Sequence, residues 1–197
     1  MSESRRANSG RTSPVAYSCV AFAMVFVFGG SKLGSQEIHP GFGLGVGVPA
    51  GDYRKTHDSG PLGQLFVVFG GADRRLRLRI EAEGAWFPGR VPANTGSSTS
   101  GDMRILSGIA TLMIGPRANG VRPYFLFGAG PQWISVPKVP NPYGSVPGAR
   151  TGIGVEGRAR NWTLRAEITG HAVLSDFATG HDFHWGTYWP LTVAIQF

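Results

Sequence analysis

Cysteine is nearly absent. The single one, Cys19, stands near the start of a chain of 197 residues, so no disulfide within the remainder can hold a fold together. Charge is scarce too: Asp, Glu, Lys and Arg make up 16%, against roughly 25% in an average soluble domain. No apolar run reaches the 20 or so residues that a membrane-spanning helix requires, which excludes a polytopic helical membrane protein. Glycine, by contrast, is plentiful at 30 residues, without the every-third-position repeat of collagen. With 5 Trp, 5 Tyr and 12 Phe the chain has too much apolar surface to stay disordered. The formal charge of +7 shrinks to +4 once residues 1–35, with Arg5, Arg6, Arg11, Lys32 and Glu3, are set aside. No basic helix is apparent, so nucleic acid is not an expected partner.

The first 35 residues have the layout of an export signal. Arg5, Arg6 and Arg11 precede an apolar stretch from Val15 to Phe28, and small residues follow. A basic segment, a short apolar core and small residues make a secretory signal peptide. Cleavage is expected near 31/32 or 35/36, leaving 36–197 as the mature domain. Cys19 sits inside the apolar stretch, not after it, which disfavours a lipoprotein.

Beyond the leader the dominant period is two. Phe42, Leu44, Val46 and Val48 alternate with Gly41, Gly43, Gly45 and Gly47. Leu76, Leu78, Ile80 and Ala82 alternate with Arg77, Arg79, Glu81 and Glu83; Ile153 and Val155 with Gly154, Glu156 and Arg158; Trp162, Leu164, Ala166 and Ile168 with Thr163, Arg165, Glu167 and Thr169. The last segment places Trp189, Leu191, Val193, Ile195 and Phe197 on one face. Alternation of this kind is the signature of strands with two unlike faces. Eight strands are predicted, at about 39–50, 61–70, 75–87, 102–115, 121–135, 149–159, 162–171 and 184–197.

The connections sort themselves. Those after the first, third, fifth and seventh strands are long and polar (about 51–60, 88–101, 136–148 and 172–183), and those between are short. A soluble sandwich has no reason to do this, whereas a transmembrane β-barrel has short turns on one side and long loops on the other. Most of the segments also contain the 9–11 residues that cross a bilayer at a tilt. In lipid every backbone polar group must be paired, so the sheet must close. The expected fold is all-β: an eight-stranded antiparallel up-and-down transmembrane β-barrel, preceded by a signal peptide. Its outer face is aliphatic, and Arg77, Arg79, Glu81, Glu83, Glu156, Arg158, Arg165 and Glu167 point into one lumen as an ion-pair network. Eight strands leave room only for side chains inside, so the lumen is plugged, and the glycines of the first strand are expected to make room for the long Arg and Glu side chains opposite. Tyr53, Trp86, Phe87, Tyr124, Trp133, Trp162, Trp185, Tyr188 and Trp189 lie mostly near strand ends, where aromatic residues meet a membrane interface.

These segments resemble the bacterial outer-membrane protein β-barrel domain family, the small eight-stranded barrels of OmpA/OmpX type. The likeness covers about 36–197. It rests on GFGLGVGVPAGDY (41–53), VRPYFLFGAG (121–130), TGIGVEGRARNWTLRAEITGH (151–171) and the terminal WPLTVAIQF (189–197). It implies residence in the bacterial outer membrane, contact with outer-membrane lipid, and passage through the barrel assembly machinery. It also implies that Trp189, Leu191, Val193, Ile195 and Phe197 act as a C-terminal assembly signal. The expected role is that of a monomeric structural or surface-interaction barrel, not an open pore and not an enzyme.

Other motifs carry less. Gly152-Ile-Gly154-Val-Glu-Gly157 matches a dinucleotide-binding pattern but lies within a strand, where that motif cannot act. His181, Asp182 and His184, with His171 and Asp176, fit no metal-ligand spacing, so neither metal nor cofactor is expected. His171 and Ser175 motivate an alternative, a barrel-borne lipid-modifying acyl hydrolase. Lipid A deacylases place a His and a Ser near such a position with His-x-Ser spacing, and this sequence departs from that spacing. A soluble periplasmic ligand-binding barrel is a second alternative. Arg74, Arg75, Arg117, Arg122, Arg158 and Arg160 are expected at the short turns.

Overall fold

The computed structural model describes residues 37–51, 53–71, 74–90, 101–117, 120–135, 145–159, 161–174 and 185–197. The leader expected over 1–35, with Cys19 and its cleavage sites, lies outside the described residues. The strands are β1 (Ile38–Gly51), β2 (Gly60–Phe69), β3 (Leu76–Phe87), β4 (Met103–Ile114), β5 (Val121–Ser135), β6 (Ser145–Ala159), β7 (Trp162–Leu174) and β8 (Trp185–Gln196), and a single helical turn, α1 (Tyr53–Thr56), follows β1. Each strand pairs antiparallel with its sequence neighbours, and β1 pairs with β8, so the sheet is a closed barrel. The strand count, order and closure are those the alternation predicts. β6 begins four residues earlier than expected and β7 runs three residues further, which lengthens the wall on the long-loop side.

Closure is made by ordinary ladder pairing. Phe42 lies opposite Ile195, Leu44 opposite Val193, Val46 opposite Leu191 and Val48 opposite Trp189. The chain end is tied in: the Phe197 amide donates to the Pro40 carbonyl at 2.9 Å, His39 Nδ1 lies 3.2 Å from the Phe197 carbonyl oxygen, and the Phe42 and Phe197 rings are 6.3 Å apart. Two of the short turns use glycine in the left-handed region, Gly70 (φ 105°) between β2 and β3 and Gly120 (φ 104°) between β4 and β5, a conformation with no steric penalty only for glycine.

The two faces differ as a membrane barrel requires. Leu44, Leu65, Ile80, Phe125, Phe127, Ile153, Leu191 and Val193 are all exposed on the outside. A soluble protein does not present a continuous apolar band of this kind, and a bilayer solvates it. The aromatic expectation needs correcting: Trp86, Trp133, Trp162 and Trp189 face outward, but Phe87, Tyr124 and Tyr188 are buried and belong to the lumen. Their strand-end positions resembled a girdle, but their parity in the strand puts them inside.

Candidate functional site

Within the barrel, side chains pack in zones set by their height along the strands. Toward the long-loop end lies an apolar cluster of Leu62, Ala85, Phe87, Met103, Ile105, Ile134, Val173 and Tyr188, with Tyr53 and Val146 packed against it. The alternation along each strand does not reveal this seal. Its residues come from six strands, and no one segment shows it.

Below it sits a cluster of buried charges. Arg79 grips Glu167 with both guanidinium nitrogens, Nη1 to Oε1 at 2.6 Å and Nη2 to Oε2 at 3.0 Å, and reaches Glu81 Oε2 at 2.7 Å. Arg150 donates to Glu81 and, through Nη2, to Glu167 at 3.3 Å. Tyr124 donates to Glu167 at 2.6 Å, and Tyr188 donates to Glu83 at 2.9 Å. The second cluster lies nearer the short turns, around Glu156. Arg77 donates to it at 2.9 Å, Arg165 Nε at 3.1 Å, and Arg122 pairs with it. Arg165 also donates to Gln196. The Phe66 ring links the clusters, with the Arg79 guanidinium 5.2 Å from its centroid and that of Arg165 at 5.4 Å, within the range of cation–π attraction.

Seven of the eight residues expected in the lumen lie there: Arg77, Arg79, Glu81, Glu83, Glu156, Arg165 and Glu167 are all buried. Arg158 does not join them. It has the inward parity but stands at the end of β6, exposed, beside Glu37, His39 and Gln196 at the rim. Two arginines not expected in the lumen take part instead, Arg122 and Arg150. Arg122, expected at a short turn, is 2% exposed, as is Arg150. Arg150 shares a face with Glu156, and carrying the alternation back through Gly152 and Gly154 finds it. Arg122 shares a face with Tyr124 and Leu126, whose apolar character hides the inward side of β5. The described lumen therefore holds five arginines and four glutamates, not the balanced four and four. The glycines of β1 also act differently from expectation. A Cβ on Gly41 would strike Phe66, on Gly43 Gln64, and on Gly47 Phe87. They make room for neighbouring side chains, among them the ring that carries the two arginines.

His171, the candidate base, is 1% exposed and faces the lumen. Its Nδ1 lies 2.9 Å from Tyr188 Oη and 3.7 Å from Glu83 Oε1. Ser175, Asp176, His181, Asp182, His184 and Arg160 lie outside the described residues. Trp189, Leu191, Val193 and Phe197 are exposed on the outer face, with Ile195 half-buried. Among the described residues no three His, Cys, Asp or Glu side chains are grouped to hold a metal ion.

Outside the wall, the connections after β1 and β3 form a small ordered collar. His57 bridges to Gly89, Asp58 N donates to Pro88 O at 2.8 Å, and Arg90 N donates to Thr56 O at 2.8 Å. Arg90 Nε donates to Asp58 at 2.5 Å. His57 is 7% exposed, with Nδ1 2.8 Å from Thr56 Oγ1 and Nε2 3.3 Å from the Gly101 carbonyl. Burial lowers its pKa below the ordinary imidazole value, and the Gly101 carbonyl, Asp102 and Asp58 oppose that only partly. The folded collar thus holds its proton less tightly than the opened one. Its stability is full above about pH 6.5, falls as pH drops below that, and reaches its floor below the folded pKa. Hydrogen exchange at the Asp58 and Arg90 amides, corrected for intrinsic rates, is expected to be faster at pH 5 than at pH 7.5. In His57→Gln that difference is expected to vanish; an unchanged pH dependence would assign it to another group.

No family model and no curated protein matches the chain by sequence. Solved structures do match in shape. Neisserial surface protein A aligns at 13% identity and TM-score 0.60, over 83% of this chain and 98% of that one. The outer membrane protein OprG from Pseudomonas aeruginosa aligns at 14% identity and TM-score 0.49, over 82% and 95%. The outer membrane enzyme PagL aligns at 13% identity and TM-score 0.49, over 79% and 97%. The first of these likenesses shows the fold alone: a small closed eight-stranded β-barrel. At such identities activity does not follow from shape.

Proposed function

We propose that this chain is an integral protein of the bacterial outer membrane with a structural or surface-interaction role, working through its outer loops and not through its lumen. The observation that carries this is the filled interior. Arg79, Arg165, Tyr124, Tyr188, Phe87 and Met103 are each under 2%, or at 2%, exposed, and the apolar cluster closes the long-loop end above the ion pairs. That leaves the outward face and the loops as surfaces that can meet another molecule. Neisserial surface protein A, whose fold this chain shares, bears a name that fits the same placement. The reading excludes catalysis at His171, because a base enclosed among Tyr188, Glu83 and the barrel wall cannot present itself to a substrate outside. It also takes the protein to be a monomer that reaches the membrane through the barrel assembly machinery, with 189–197 as the recognised segment.

The test is conductance. Pure protein in planar bilayers is expected to carry no steady current, since an eight-stranded lumen packed with side chains holds no continuous water path. Reproducible large single-channel steps would overturn the proposal.

A further inference from the structure

One charge stands where the fold gives no reason for it. Among the described residues, Arg104 is the only ionisable side chain on the outward face of the eight strands. It is exposed and has no ion-pair partner among the described residues. An arginine on the lipid face is unfavourable in the bilayer, less so near the interface, and a phosphate group would satisfy it through paired charge-assisted hydrogen bonds.

Beside Arg104 the outer wall is hollow. An open groove of about 430 Å³ is lined by Leu44, Gly63, Gly84, Trp86 and Arg104, among others. The register orders them. Leu44, Gly63 and Gly84 follow one another across β1, β2 and β3, and Trp86 lies directly opposite Arg104 one step nearer the long loops. The glycines are not required by packing. A Cβ on Gly84 would meet nothing within 4 Å, and one on Gly63 only Leu44 Cδ2 at 3.8 Å, unlike the crowded lumen glycines. Glycine inside a strand weakens it and often marks the close approach of another molecule.

We propose that this groove binds one phosphate-bearing acyl lipid of the outer leaflet, an acyl chain lying over Gly63 and Gly84 between Leu44 and Trp86 and the phosphate on the Arg104 guanidinium. The proposal rests on the membrane-barrel reading, which puts the long-loop end of the wall in the outer leaflet. Charge at the loop-ward end and apolar floor below it match such a lipid in order and direction, and Trp86 sits where tryptophan meets an interface.

The experiment is a native mass-spectrometry titration of the full-length protein folded in detergent micelles, with lipid A and with dephosphorylated lipid A as probes. The wild type is expected to retain one lipid A about tenfold more tightly than the dephosphorylated form, the size of one charge-assisted contact. Arg104→Gln is expected to erase that preference, and Gly84→Leu to weaken both lipids by filling the groove. Millimolar inorganic phosphate is expected not to compete, since the chain supplies part of the binding. Equal retention of both probes by the wild type, wild-type affinity in both variants, or displacement by free phosphate would each overturn the site. Should Gly84→Leu fail to fold, Gly84→Ala, whose added carbon meets nothing, is expected to give the same effect in smaller size. A heat-modifiable gel band separates the two readings: without it in the wild type the barrel reading fails, and with it but without lipid preference only the groove does.

Discussion

Deleting Phe197 is expected to reduce membrane insertion far more than removing one residue from the 88–101 connection, and Val193→Asp to do likewise. The last strand has two jobs. It pairs with β7 on one side and with β1 on the other, so losing its register opens two edges in lipid, where unpaired backbone groups cannot be satisfied. Phe197 fixes the end of that register through the hydrogen bond its amide donates to the Pro40 carbonyl and its ring against Phe42. Val193 is 56% exposed on the outer face opposite Leu44. A carboxylate there meets lipid, at a cost below the roughly 2–4 kcal/mol given for Arg or Lys at mid-bilayer. The deletion acts on assembly, and the substitution on assembly and stability together. The measurement is the fraction of chain in carbonate-washed outer membranes, and normal insertion of both variants would contradict the closure account.

Glu156→Ala is expected to be the most damaging change inside the lumen. Glu156 faces three arginines, Arg77, Arg122 and Arg165, all at or below 4% exposed. Among the described residues Glu156 is the carboxylate these three arginines share, so removing it takes a buried partner from each, and breaking even a single buried pair costs about 3–5 kcal/mol. Arg79→Ala is expected to fall in the same range, since it strips Glu167 of its two-pronged partner. The pair between Arg90 and Asp58, about half exposed, serves as the control at about 0–1 kcal/mol. Urea unfolding in detergent, followed by tryptophan fluorescence, is expected to show early unfolding for Glu156→Ala and Arg79→Ala and almost none for Asp58→Ala. Equal midpoints for all three would mean that the lumen pairs are solvated.

The barrel wall is legible in the sequence because lipid and lumen impose opposite demands on alternate residues. Where one face carries charge and the other aliphatics, as in Leu76–Glu83 or Trp162–Thr169, parity alone assigns each side chain. It loses power where both faces are apolar. In β5, Phe125 and Phe127 face out while Tyr124 and Leu126 face in, so Arg122 has no visible company and reads as a turn residue. Parity also says nothing about height: Arg158 faces inward but stands at the rim, whereas Arg150, several residues back, reaches the central carboxylates. The apolar seal, the collar around His57 and the groove beside Arg104 each draw on several strands or loops, and a one-dimensional pattern holds no trace of them.

Whether the chain is a closed barrel embedded in the outer membrane is read from the mobility of the wild-type protein from carbonate-washed membranes on a dodecyl sulfate gel, unheated and boiled. The protein is expected to stay with the outer-membrane fraction and to run faster unheated than boiled, because the closed ladder resists the detergent until heated. Release by carbonate, or a single mobility under both conditions, would contradict it.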